Sequence, residues 1–256
     1  MRDRVEQNKI KKMKKKSLLL ITAATLGLTA ATIAQNVPNY VPINGLVGWW
    51  PFNGNANDES GNGNNGIASD ALITTDRFGS SNSAFQNGQL TPLISVSNLT
   101  INSSSYTCSY WIKYSSLPIS TSISDVSHEW LNGGTFATFR QTNATLSFAA
   151  GGSNGIANQV MLNTPNSIDT IGWHHILILR TNQIMKTYID GVNVATDSLV
   201  QNGSLIASKT LYLGGDPQNT NQNPLAKFNG KIDDVGIWNR ALTQQEIIDM
   251  YNGNIC

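Results

Sequence analysis

Short apolar runs alternate with polar turn pairs along most of this chain. In "SYTCSYWIKY" (105–114), "WHHILILR" (173–180), "MKTYIDG" (185–191) and "VNVATDS" (192–198), β-branched and aromatic residues crowd into stretches of strand length. Further runs are "LVGWWPF" (46–52), "TFATFR" (135–140), "TLSFAA" (145–150) and "TLYLGG" (210–215). Such residues fit a pleated surface whose side chains leave on alternate faces. Asn-Gly pairs at 44, 53, 62, 65, 87, 132, 154, 202, 229 and 252, and Asp-Gly at 190, punctuate the chain. These residues tolerate the positive φ that tight turns require. Many short strands separated by turns predict an all-β, two-sheet antiparallel sandwich and exclude the βαβ alternation of a parallel sheet. The clearest hairpin is "TYIDGVNVA", turning at Asp190-Gly191.

One helix is expected, in "LTQQEIIDMYNG" (242–253). Thr243 stands as N-cap with Glu246 three residues on, a capping box, and Leu242 and Ile247 occupy staple positions. Gly253 is placed to close the C-terminus. The helix should lay its short apolar face on the sandwich edge. Before it, "FNGKIDDVGIW" reads as a strand in which Asp233 alternates with Val235 and Ile237. A carboxylate on an apolar face costs several kcal/mol unless something compensates it. Asp234 falls on the opposite face with Gly236 and Trp238. No repeat of 20 to 50 residues is present, so one domain is expected, over residues 43–253.

The first residues bear on location. Lys14, Lys15 and Lys16 precede "SLLLITAATLGLTAATIA", with Thr32 and Ala34 placed for cleavage before Gln35. A basic segment, an apolar segment and a small-residue end describe a secretory signal peptide, so residues 1–34 are read as leader and the mature protein as secreted or at the cell surface. The strongly apolar core of this stretch is shorter than the ~18 residues of a membrane span and is broken by threonines. The leader holds eight Lys and Arg against two acids, which leaves nine basic and fourteen acidic residues, a net −5. No basic stripe remains for nucleic acid. Cys108 and Cys256 could pair, or be a small buried thiol and a terminal one. A chain ending on Cys256 directly after a helix also suggests further domains beyond it.

Several stretches, in order, carry a family resemblance: "LVGWWPFNGNANDESGNGNNG", "DRFG" (76–79), "YTCSYWIKYSSL", "GWHHILILR", "KTYIDGVNVA" and "FNGKIDDVGIWNRALTQQEI". Together they resemble the laminin-G-like domains of secreted bacterial proteins, in the concanavalin A-like lectin/glucanase superfamily. The resemblance implies a jelly roll of two curved antiparallel sheets, often with one calcium ion. It implies functions as different as glycan binding, adhesion and protein contact, because fold alone does not fix function. Two departures stand out. "SAFQNGQLTPLISV" lacks the acids usual after the "DRFG" stretch, and Gly236 replaces a bulkier, often basic residue.

A structural calcium is the expected compensation for Asp233. In the related glucanase branch a similar strand supplies a metal-ligating aspartate there, with Asp234 as second candidate. The facing ligands would come from the loop at 55–66, through Asp58, Asn62, Asn64 and the Gly66 carbonyl, since calcium takes six to eight oxygens in flexible geometry. Asp58, Ser60 and Asn62-Gly63 mimic the opening of an EF-hand, but Ser69 stands where its bidentate glutamate belongs. The alternatives are a loop that hydrogen-bonds itself and an Asp233 satisfied by backbone N–H groups or Arg240.

The superfamily's glucanases place a carboxylate pair on one strand, and glycoside hydrolysis needs two placed carboxyls. No strand here shows acids at i and i+2 or i+4, so no catalytic residues are assigned. His174 and His175 are strand neighbours leaving on opposite faces, unsuited to sharing a zinc. Sugar binding uses aromatic faces beside a few polar groups. Most of the six tryptophans sit in strand patterns and read as core. Trp130 with His128, in an apparent inserted loop, and Asp216 with Asn219, in "GGDPQNTNQNPLAKF", are the candidate ligand-binding residues. The expected function is thus a secreted, calcium-stabilised module recognising carbohydrate. The alternatives are an adhesion or accessory domain contacting an extracellular protein and, last, a glycoside hydrolase.

Overall fold

Strand β6 (Ser105–Tyr114) shows how the sequence builds the sandwich. Tyr106, Cys108, Tyr110, Ile112 and Tyr114 point into the main core, while Thr107, Ser109 and Trp111 face the other way. The structure is a computed structural model. It describes residues 36–69, 71–86, 94–101, 103–116, 124–129, 138–141, 145–149, 162–165, 168–198, 208–214 and 228–253, with backbone only over 124–165 and 208–209.

In chain order the strands are β1 (Leu46–Trp50), β2 (Ile67–Ala68), β3 (Leu72–Thr74), β4 (Ala84–Gln86), β5 (Ile94–Thr100), β6, β7 (Ser124–Glu129) and β8 (Thr138–Gln141). There follow β9 (Thr145–Ala149), β10 (Leu162–Pro165), β11 (His174–Thr181), β12 (Ile184–Ile189), β13 (Val192–Ser198), β14 (Ser208–Leu213) and β15 (Gly230–Trp238), then helix α1 (Gln244–Asn252). One sheet runs β13-β12-β11-β6-β15-β4-β3, with β1 also paired to β15; the other runs β10-β9-β8-β7-β14-β5-β2. The paired strands are antiparallel, as the turn-rich pattern predicts. Between the sheets, Ile176, Ile178, Ile232, Val235 and Ile237 meet Ile94, Val96, Leu211 and Leu213.

The first sheet also buries part of its outer face. Trp49, Leu177, Leu179, Tyr188 and Trp238 lie there under Ile247 and Met250 of α1 and under Val41. So α1 covers a sheet face, where an edge position was expected, and the cover starts before residue 43 with Val37, Tyr40 and Val41. Burying Ile247 and Met250 contributes about 3–6 kcal/mol to that docking. The capping box forms: Thr243 accepts from the Glu246 amide while the Glu246 carboxylate accepts from the Thr243 amide. Gly253 ends the helix in ordinary right-handed geometry, with φ −62°. A Cβ there would collide with that of Tyr40, which is what calls for glycine. The β12–β13 hairpin turns at Asp190 (φ 53°) and Gly191 (φ 76°). Cys108 is a buried free thiol, its pKa pushed up to about 12 by burial, while Cys256 lies outside the described residues.

Candidate functional site

The last strand changes partners halfway. Along one flank β15 pairs with β6 throughout; along the other, Lys231 and Ile232 pair with β4, whereas Val235 to Trp238 pair with β1. Asp233 and Asp234 stand at the fork where β4 and β1 part. Here β15 carries one residue more than β6: Asp233 pairs with Trp111 and Gly236 with Ser109. This β-bulge resets the alternation and turns Asp234 to φ 45°. Val235 and Ile237 stay inward, and both carboxylates come out on the outer face. The expected split of the two acids onto opposite faces is therefore wrong, because the bulge adds a residue to the period of two.

What compensates the pair is Arg77. Its Nη1 donates to Asp233 Oδ2 at 2.8 Å and its Nη2 to Asp234 Oδ2 at 2.6 Å. All three side chains are almost wholly buried, at 6%, 3% and 10% exposure. The guanidinium lies 4.3 Å from the Phe78 ring centroid and 4.8 Å from that of Trp111, a cation held between two aromatic faces. Asp233 Oδ1 also accepts the Asp234 amide at 2.8 Å. Burial drives the Asp233 pKa well above the usual carboxylate range, Asp234 adds to this, and Arg77 opposes it. Asp234 is raised likewise, by burial first. One guanidinium serves two buried acids, so the pair holds a proton more tightly than free carboxylates do. Tyr40 bonds Arg77, and burial, with Asp234 beside it, raises its phenol. Arg77 belongs to "DRFG", a stretch that served only the resemblance. The signal that could have found it was the need of Asp233 for a cation. Arg240, the cation considered for that role, pairs instead with Glu246 at 2.8 and 2.5 Å.

The loop at 55–66 has other work. Asp58 Oδ1 accepts the amides of Trp49 and Ser60 at 3.0 and 2.9 Å, and its Oδ2 accepts that of Asn64 at 2.9 Å. Asn62 Nδ2 donates to the Leu46 and Val47 carbonyls, Asn64 Nδ2 to Val47, and Trp50 Nε1 to the Asn64 carbonyl. The Gly66 amide closes on Ala56. These side chains satisfy backbone groups of β1 that none of the described strands reaches, a cover for an exposed sheet edge. The donors named for calcium thus form two separate sets, Asp58 on backbone amides and Asp233 with Asp234 on Arg77. That arrangement does not fit one ion joining loop and strand. Among the described residues no group of three or more His, Cys, Asp or Glu is placed to hold a metal.

Of the residues expected to bind ligand, Trp130, Asp216 and Asn219 lie outside the described residues. His128 stands on strand β7, opposite Tyr212 of β14, and not in a loop; its side chain is not among those described. Trp49, Trp50, Trp111 and Trp238 are core, as expected. His174 Nδ1 meets Asp190 Oδ2 at 2.8 Å and its Nε2 meets Asp169 at 3.3 Å, whereas His175 is buried against Ser109 Oγ at 2.7 Å. Burial pushes the His175 pKa down to about 3, which keeps its ring neutral.

The fork opens into a cleft of about 160 Å³. Pro51 follows β1, Ser83 precedes β4, and Asp76, Arg77 and Phe78 come from the β3–β4 turn to line it above Asp233 and Asp234. Asn36, Pro38, Tyr40 and Asn53 complete the lining. Phe78 is 50% exposed, the large aromatic ring most open to solvent in the described structure.

The family model of the concanavalin A-like lectin/glucanases superfamily, laminin-G type, matches residues 87–248, and the chain belongs to that superfamily. Comparison of the sequence with curated proteins returns no match. Among solved structures, domain 4 of AbnA, an extracellular arabinanase from Geobacillus stearothermophilus, in complex with arabinotriose, is 20% identical with a TM-score of 0.63; the match covers 80% of this chain and 98% of that one. The binding domain of Paraclostridial Mosquitocidal Protein 1 is 19% identical at TM-score 0.58, over 82% and 52% of the two chains. Trypanosoma rangeli sialidase is 16% identical at TM-score 0.62, over 82% and 33%. The chain thus spans about half of the second of these proteins and a third of the third.

Proposed function

We propose that the chain is a secreted carbohydrate-binding module that does not itself cleave sugar. The observation that carries this reading is correspondence of size: the sandwich aligns with nearly all of a separate domain whose structure holds an arabinotriose. The fork cleft agrees with it, because a half-exposed aromatic ring beside carboxamides and a carboxylate is how proteins meet the apolar faces and hydroxyls of sugars. Two carboxylates do stand together, but both are buried and tied to one guanidinium, whereas glycoside hydrolysis needs a carboxyl on each side of the scissile bond. Among the described residues no helix is long and apolar enough to cross a membrane. The basic-then-apolar pattern of residues 14–34, read as a secretory leader, supports export.

The test is an array of neutral and acidic oligosaccharides probed with residues 35–256, alongside product analysis on polysaccharides. Saturable binding without release of reducing ends is expected; release of sugar, or no binding at all, overturns the reading. A second reading, contact with an extracellular protein, is favoured by Ile67, Leu72 and Ile73, which stand 63%, 59% and 46% exposed on β2 and β3. A blank array together with a specific protein partner would select it.

A further inference from the structure

We propose that the fork cleft is a subsite for one uncharged sugar ring at the end of a glycan chain. This rests on the carbohydrate-binding reading and adds where the sugar sits and which sugars are refused. Size comes first. Pockets that enclose a drug-sized ligand run from about 300 to 1,000 Å³. At about 160 Å³ the cleft takes a single ring, and a chain must leave it directly into solvent.

Chemistry comes second. Phe78 holds the Arg77 guanidinium against one face, which fixes the ring, while half of its surface stays open to accept the C–H face of a sugar. Asp76 Oδ1 accepts the Phe78 and Ser80 amides, both at 2.8 Å, so the turn carrying Phe78 is braced, and among the described residues the second carboxylate oxygen is left for a hydroxyl. The Asn36 and Asn53 residues are exposed and offer carboxamides that both donate and accept.

Charge decides the sugar class. Among the described residues the one cation of the lining, Arg77, is committed to Asp233 and Asp234, and Asp76 adds a third acid. An anionic sugar would enter a site where acids outnumber cations, with no guanidinium to receive it. Neutral rings are accepted, and sialic and uronic acids are turned away.

The experiment titrates residues 35–256 with arabinotriose, xylotriose, cellotriose, galactotriose, sialyllactose and trigalacturonate, and then with the mono- and disaccharide of whichever binds. A neutral trisaccharide should bind with its shorter forms within about threefold, and Phe78→Ala should weaken binding by about tenfold or more while Phe78→Trp retains it. Because Phe78 helps hold Arg77, each variant's melting is followed too, and Asn53→Ala, outside the Arg77 network, should weaken binding without moving the melt. Binding that survives both alanine variants overturns the subsite and leaves the carbohydrate reading standing. So does a preference for the acidic sugars, or an affinity that climbs tenfold with each added ring. If no sugar binds, both fall.

Discussion

Replacing Arg77 by methionine keeps an unbranched stem between Phe78 and Trp111 and removes only the charge and its donors. Asp233 and Asp234 then face each other under almost complete burial with no cation. Removing one side of a buried ion pair costs about 3–5 kcal/mol, chiefly because the partner is left charged and unsolvated. At about 2–4 °C per kcal/mol for a domain of this size, Tm at neutral pH should fall by roughly 6–20 °C. The loss should also depend on pH. Burial already raises both acids, and Arg77 is the main influence lowering them, so its removal raises them further. A carboxyl with a raised folded pKa favours the folded state below its unfolded value and loses that advantage as pH climbs through the folded value. The deficit is therefore largest at pH 7 and shrinks toward pH 4. Adding Asp233→Asn and Asp234→Asn should recover much of the loss, because the uncompensated charges are gone. Arg77→Lys should fall between, its single ammonium unable to fork across two carboxylates. Thermal melts of the four proteins across pH decide the matter. A methionine variant within about 1 kcal/mol of wild type, or a deficit flat with pH, would refute the compensation argument.

Three more outcomes follow from described contacts. Melting midpoints in millimolar calcium and in chelator should coincide; the ~2.7 kcal/mol that an ion supplies at a hundred times its Kd would show that loop and strand rearrange around it. Thr243→Ala should cost about 1 kcal/mol through loss of the cap, read from denaturant midpoints. Its partner Glu246 is held down at about 2 by Arg240 first, so the Glu246 contribution is present above its unfolded pKa and disappears as pH falls through about 2. The Asp190 hydrogen bond raises His174, whose stabilisation is full below an unfolded value of about 6.5 and is lost as pH rises through the higher folded value. A ring-proton titration by NMR checks the direction, and His174→Gln should remove that part of the pH slope.

The sandwich was readable because a period of two and turn pairs are written locally. β6, β11, β12 and β13 fall where their alternation puts them, and the capping box of α1 forms as spelled. β5 was not visible: "ISVSNLT" is half polar, and its identity as a strand comes from pairing with β14. The face of Asp234 was unreadable for a sharper reason. A bulge is a mismatch between two strands, and one strand's pattern does not contain it. Arg77 sits far from the acids in sequence, and nothing local marks it as their partner. Asp58, Asn62 and Asn64 were singled out for their oxygens, yet the carboxylate accepts backbone amides and the carboxamides turn their nitrogens toward β1 carbonyls. The same residue types serve a metal or an open strand edge, and composition does not separate the two. Gly236, noted as unusual, stands where the indoles of Trp49 and Trp238 leave no room for a Cβ.

The pairing of β1 with β15 has a mechanical consequence. Leu46, where β1 begins, sits opposite Trp238, where β15 ends. A load pulling the two ends of the domain apart would enter both strands at the same end of their ladder. It would unzip that ladder one rung at a time, with α1 peeling away beside it, and the rungs would not share the force as they do in shear. Strung in a surface tether, this domain would be the link that yields early and gently, lengthening the tether before anything stiffer breaks.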